Sequence, residues 1–150
     1  MEELIQRYQQ LQKAYKRLNY MVRTYKKLNL QHNIKAYTEE ENELIVHREA
    51  LIKRFEICYD LTWKFFKQFL REKHSIEVAS PRKVFQACFD QSLITERDVS
   101  LLIELIDSRN QTVHVYSEDM AQAIAQQIIE NYDFLDGLIQ KIATYVPHIQ

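Results

Sequence analysis

LIKRFEICYDLTWKFFKQFL, residues 51–70, is the stretch on which the fold turns. Its apolar residues recur at spacings of three and four, the repeat of a helix and not the alternation of a strand. They fall in two stripes. Leu44, Leu51, Phe55, Cys58, Thr62, Phe65 and Phe69 form one, and Ile52, Tyr59, Trp63, Phe66 and Leu70 form the other, with the charge of Glu56 inside it. A surface helix needs only one stripe. Two place this helix, expected over about residues 41–73, either at the centre of a bundle or at an interface as well. The second possibility predicts a homodimer, because Tyr59, Trp63 and Phe66 have no evident place in one protomer's core.

Composition agrees with a helical reading. The chain has 150 residues, 46% of them hydrophobic and 27% charged, which is the size and balance of one globular domain over residues 1–150. One Gly and two Pro leave little material for hairpin turns. The same scarcity excludes Rossmann and P-loop sites, which need several glycines for backbone to approach phosphate. No apolar run nears the roughly 18 residues of a membrane span, and MEELIQRYQQ has no signal-peptide core. Cys58 and Cys88 are isolated among apolar neighbours and read as buried thiols, so a reducing cytoplasm without membrane association is expected.

Outward from the central stretch, Leu4, Tyr8, Leu11, Tyr15, Leu18, Val22 and Tyr25 make a heptad seam on a first helix over about residues 2–30. LQHNIKAYTEEEN breaks that rhythm and reads as a connection. Ser80-Pro81 is an N-cap followed by proline at the first helical position, opening a short helix through about Gln91. Thr95-Glu-Arg-Asp98 resembles a capping box ahead of Val99, Leu102, Ile103 and Ile106, and Ser117 caps a last helix carrying Ala121, Ile124, Ile128, Tyr132, Leu135, Ile139 and Ile142. The expectation is an all-α antiparallel bundle of four long helices plus one short helix, homodimeric.

The net charge of −1 hides an asymmetry: residues 1–35 hold eight Lys/Arg against Glu2 and Glu3, whereas ten Asp/Glu but only Arg97, Arg109 and Lys141 follow from Asp90. Two solvated faces of opposite sign explain this, and so does attraction of a polyanion or an acidic partner.

DSRNQTVHVYSEDM, residues 107–120, gathers Arg109, Asn110, His114 and Tyr116 where one helix pattern ends and a capped one begins. Arg offers a planar fork of donors for phosphate oxygens, and His carries a proton near neutral pH. The pair suffices to cleave RNA without a metal, by deprotonating a 2′-hydroxyl and stabilising the phosphorane charge. Spacing speaks against a shared face, because five residues are roughly 140° around an unbroken helix. Either the helix distorts, or Arg109 reaches round, or two copies complete each other's site. The plainer alternative is a polar helix C-terminus with Arg and His near the negative end of the dipole. The five histidines are scattered, no Glu-x-x-His or HExxH occurs, and Glu43 with His47 reads as an exposed ion pair, so neither a metal nor another cofactor is expected.

Taken together, residues 51–70, SPRKVFQACFDQSLI (80–94) and LIELIDSRNQTVHVYSEDMAQAIAQQI (102–128) resemble the HEPN superfamily and, within it, the nucleotidyltransferase substrate-binding protein family, over roughly residues 45–140. The RFE, Trp-Lys and Arg-Asn-x3-His-x-Tyr elements carry the likeness. The resemblance implies a homodimeric bundle whose motifs face a shared cleft. It further implies a minimal nucleotidyltransferase as partner, with RNA or a nucleotide as ligand. In related toxins the cleft is a metal-independent ribonuclease, and the transferase, acting as antitoxin, places AMP on the motif tyrosine. Carried over by position, Arg109 would bind phosphate, Asn110 orient it and His114 move the proton, while Tyr116 would be the AMP acceptor. The alternative that the resemblance leaves open is a non-catalytic nucleotide- or substrate-binding subunit of a two-component nucleotidyltransferase.

Overall fold

A computed structural model describes residues 2–31 and 33–146; His32 and His148 of the scattered histidines lie outside them. The chain runs through α1 (Glu2–Asn29), α2 (Glu39–His74), α3 (Pro81–Asp90), α4 (Glu96–Gln111), a 3-10 turn (Thr112–His114) and α5 (Glu118–Ala143), with no strand among the described residues. None of these helices is long and apolar enough to cross a membrane.

Each start is set by a local cap. The side chains of Thr38, Ser80, Thr95 and Ser117 accept the backbone N–H three residues on, satisfying a donor that the first turn leaves orphaned. Thr38 starts α2 at Glu39, two residues before the sequence pattern alone placed it, because Glu39–Glu41 are polar and carry no stripe. Thr95 and Asp98 complete the expected capping box, and Ser80 with Pro81 opens α3 as the sequence implied. The C-terminus of α2 is closed by Ser75 in the left-handed region, its N–H bonded to the Leu70 carbonyl.

The bundle is read from its cross-helix bonds. Tyr8 meets the Phe65 ring while Arg48 Nε donates to the Tyr25 hydroxyl at 3.1 Å, so α1 and α2 are antiparallel. Ser108 bonds Gln127 and Lys141 bonds Asp98, so α4 and α5 are antiparallel as well. The seam of α1 is buried as expected except at Tyr15, which lies at its edge and bonds Tyr132 and Asp136 of α5.

α2 is the centre: it packs against every other element. This corrects the argument for an interface drawn from its second stripe. Ile52, Tyr59, Phe66 and Leu70 are all buried within one protomer. The ring of Phe85 from α3 packs edge-on against both Tyr59 and Phe66, and the Tyr59 hydroxyl donates to the Leu102 carbonyl of α4 at 2.8 Å. Ten residues of α3 are enough to cover what the sequence left without a partner; only Trp63 of that stripe stays half-buried. Cys58 and Cys88 are buried thiols, each pushed up to about 12 by burial.

Candidate functional site

The chain around Arg109 is built from two helices. α4 ends at Gln111, where the Thr112 hydroxyl, shared between the Arg109 carbonyl and Glu56 Oε2 at 2.7 Å each, turns back onto the helix, and the next residues tighten into the 3-10 turn. On α2, Glu56 and Asp60 lie four residues apart and face this end of α4. Arg109 reaches them with a full fork: Nε donates to Asp60 Oδ1 at 2.8 Å and Nη2 to Asp60 Oδ2 at 3.0 Å. Nη1 donates to the Thr112 hydroxyl at 3.3 Å, and Glu56 Oε2 lies 3.9 Å from it.

The electrostatics follow from that geometry. The hydrogen bonds that Arg109 donates to Asp60, with the charges of Asp60 and Glu56, raise Arg109 against the opposing cost of burial. Burial pushes Glu56 up, but the bonds from Thr112 and Lys53 and the charge of Arg109 outweigh it and hold the carboxyl below its ordinary value. Two carboxylates therefore face one guanidinium.

His114 and Tyr116 sit outside this clamp. His114 is exposed, and its Nδ1 lies 3.1 Å from the Tyr116 hydroxyl. Tyr116 is 83% exposed in the turn between α4 and α5. Asn110 is exposed on the last turn of α4. Of the four residues singled out by the sequence, the structure joins only His114 with Tyr116. No hydrogen bond links Arg109 to His114 among the described residues, and tightening to about 120° per residue over Thr112–His114 does not bring them onto one face. The helix does distort, but the distortion does not assemble an Arg–His pair.

Sequence reasoning missed the partners of this end. Glu56 and Asp60 stand at i, i+4, a like-charge pair that favours a cation between them, but α2 carries many other charged residues and the spacing does not say which cation it is. Arg48 is a second omission. It is buried, and besides Tyr25 it donates to Glu118 at 3.0 Å, tying the start of α5 directly beyond Tyr116 to the core. His47, read as an ion-pair partner of Glu43, places Nδ1 2.7 Å from the Glu43 main-chain carbonyl. No group of three or more His, Cys, Asp or Glu side chains is gathered as a metal site among the described residues.

A cavity of about 570 Å³ opens beside Tyr116. Its charged lining is Glu49, Glu56, Glu118 and Lys53, with Lys53 and Arg109 beside Glu56 and Arg48 on Glu118.

Comparison with known proteins gives three findings. Residues 6–143 match the family described as nucleotidyltransferase substrate binding protein like. No curated protein matches the chain. Among solved structures, the chain is similar to a crystal structure from Thermus thermophilus, at 27% sequence identity and a TM-score of 0.58, covering 85% of this chain and 97% of that one.

Proposed function

The chain belongs to the nucleotidyltransferase substrate binding protein-like family, and from that premise we propose that it is a single HEPN-like helical domain over residues 1–150 that serves a minimal nucleotidyltransferase as its bound substrate, with Tyr116 as the acceptor of AMP. The observation that carries this reading is the pairing of an exposed Tyr116 hydroxyl with His114 Nδ1 at 3.1 Å. A phenol is a poor nucleophile until its proton has somewhere to go. In the transfer, the Tyr116 oxygen attacks the α-phosphorus of ATP held by the transferase. The bond from that phosphorus to the bridging oxygen of the β-phosphate breaks, pyrophosphate leaves, and the phenolic proton passes to His114 Nδ1. Neither residue is held by the core, so another protein's active site can close over both.

Arg109 has a different part here. Its fork is filled by Asp60, with Glu56 beside it, so no pair of donors is left for a phosphodiester. Arg109 therefore fixes the end of α4 from which the His114–Tyr116 turn departs, and Asn110 stands exposed beside it. After transfer, the AMP phosphate adds a negative charge that competes with Asp60 for the Arg109 guanidinium.

A metal-independent endoribonuclease toxin, neutralised by that same modification, is the second reading. It is favoured by one observation, an exposed His114 with no acidic partner among the described residues. It requires Arg109 to leave Asp60 and, because one protomer does not pair Arg109 with His114, a homodimer in which two copies complete each other's site. Intact mass of the protein after incubation with a nucleotidyltransferase partner, ATP and magnesium tests the first reading. An AMP-sized increase that vanishes in Tyr116→Phe and slows in His114→Ala supports it; no increase in wild type, or one that persists in Tyr116→Phe, overturns it. RNA cleavage by the protein alone that His114→Ala abolishes would carry the second reading instead.

A further inference from the structure

One face of α1 carries charge that nothing in the protomer answers. Between Glu3 and Glu39 the chain has no Asp or Glu, and α1 fills most of that interval. Lys13, Lys16, Arg17, Arg23 and Lys27 fall within about 120° of arc at the helical turn per residue. Tyr20 stands at the centre of that arc, opposite the buried seam of Leu4, Leu11, Leu18 and Tyr25. All five cations are exposed, and Tyr20 is 60% exposed. The strip runs about 21 Å along the helix at 1.5 Å per residue. None of the five cations makes an ion pair or a hydrogen bond among the described residues.

A solvated helix face ordinarily interleaves the two signs, as α2 does with Lys53 and Glu56, and as the first turns of α1 do with Glu3 and Arg7. The strip beyond Arg7 does the opposite. Lys13 with Arg17, and Arg23 with Lys27, are like charges at i, i+4, which repel one another and which an acidic counter-surface relieves. The strip also has a definite place in the bundle. Tyr25 accepts a hydrogen bond from the buried Arg48, and Arg48 donates in turn to Glu118, two residues beyond Tyr116. The C-terminal end of the basic strip therefore lies at the end of the bundle that presents the acceptor turn.

We propose that this face of α1 is the docking surface for an acidic patch on the nucleotidyltransferase, holding that protein where its active site reaches Tyr116; the inference rests on the transferase reading above. Tyr20 among five cations has the layout of an interface anchor, an amphipathic ring surrounded by charges that steer and orient the partner. A bounded acidic patch on a folded protein fits this strip better than a nucleic acid does. Tyr15 bonds Asp136 and Tyr132 bonds Asn19, so α5 runs beside α1 and carries exposed Glu130 and Asp133 next to the strip. A polyanion that extends past the strip meets that acid, and a single ring gives successive bases nothing to stack on. The strip shares no residue with the acceptor turn, so removing its charge acts on association and leaves the transfer step in place.

The test titrates the full chain with the transferase by calorimetry without ATP, and separately follows the AMP-sized mass increase over a range of chain concentrations with ATP and magnesium. Lys16→Glu combined with Arg17→Glu is expected to weaken association roughly tenfold and to raise KM by a similar factor with kcat unchanged. Tyr20→Ala should weaken association several-fold. Lys73→Glu combined with Lys83→Glu changes the net charge equally at exposed sites outside α1 and should change neither quantity, with circular dichroism showing that all variants fold alike. Wild-type affinity should fall as salt rises through about 0.1–0.3 M, where the Debye length drops below about 10 Å, and Lys16→Glu/Arg17→Glu should flatten that dependence. Absence of association in wild type, wild-type affinity in Lys16→Glu/Arg17→Glu, or an equal loss in Lys73→Glu/Lys83→Glu overturns the docking surface, whether or not Tyr116 is modified. Association that needs the strip but gives no mass increase supports the docking surface and overturns the acceptor reading instead. A duplex oligoribonucleotide that binds wild type more tightly than the transferase does, and is lost in Lys16→Glu/Arg17→Glu, overturns the proposal in favour of a nucleic-acid face.

Discussion

At its N-terminal end, α4 is held by Thr95 and Asp98 capping each other's backbone, with Lys141 of α5 donating to Asp98 at 2.8 Å. At its C-terminal end it is held by the Arg109 fork on Asp60, and there the chain passes at once into a turn that presents His114 and Tyr116 to solvent. Both ends join helices through charge. The first uses its polar groups entirely for closure, while the second closes Arg109 and leaves a phenol and an imidazole bonded only to one another. A charged motif at a helix end is thus two kinds of object, a fastener and a presented group, and only cross-helix partners tell them apart.

The comparison breaks most readily at Arg109. Arg109→Ala leaves the Asp60 carboxylate without its cation and Glu56 with Lys53 alone. Breaking a fully buried pair costs about 3–5 kcal/mol, but the Arg109 and Asp60 side chains are 22% and 31% exposed, so about 2–3 kcal/mol is expected in a denaturant titration. Arg109→Lys keeps the charge and loses the fork, so it should recover only part of that. If Arg109→Ala unfolds at the wild-type midpoint, the residue is not a fastener and is free for a ligand after all.

Asp98→Ala attacks the other end and removes half of the capping box together with the partner of Lys141. About 1–2 kcal/mol is expected, most of it from the cap, because the Lys141 side chain is 37% exposed and its ion pair is screened. This loss has a pH signature. Burial pushes the Asp98 carboxyl up, but the bonds from Lys141 and Thr95 outweigh it and hold it below its ordinary value. A carboxyl lowered on folding contributes stability above its unfolded value of about 3.9, and that contribution is lost as pH falls through the folded value. The gap between wild type and Asp98→Ala should therefore be full at pH 7 and narrow below about pH 4. A gap that is constant with pH would assign the whole effect to helix propensity.

What was legible in the sequence follows the same division. Caps at Ser80, Thr95 and Ser117 are contacts over three residues, so spelling fixes them, and the seam of α1 is a periodicity that needs no partner to be seen. The second stripe of α2 misled, because its covering ring, Phe85, lies on a short helix whose placement is a tertiary fact. The Arg109 motif carried no sign of its bonds. The choice between phosphate and Asp60 depends on a residue 49 positions away that periodicity does not single out.

The smallest expected effect is the most diagnostic. Tyr116 is 83% exposed and His114 is exposed, and their bond is the only one either makes among the described residues. Surface changes of that kind move stability by no more than about 0.5 kcal/mol. Tyr116→Phe and His114→Ala should therefore melt with wild type within that margin, although both sit within seven residues of Arg109, whose removal is costly. A side chain that contributes nothing measurable to folding, beside one that does, is free to serve another molecule. Thermal denaturation of the three variants side by side decides it. If Tyr116→Phe or His114→Ala lowers the midpoint as far as Arg109→Ala does, the turn is a second fastener, and the contrast between the two ends of α4 collapses along with the case for a presented acceptor.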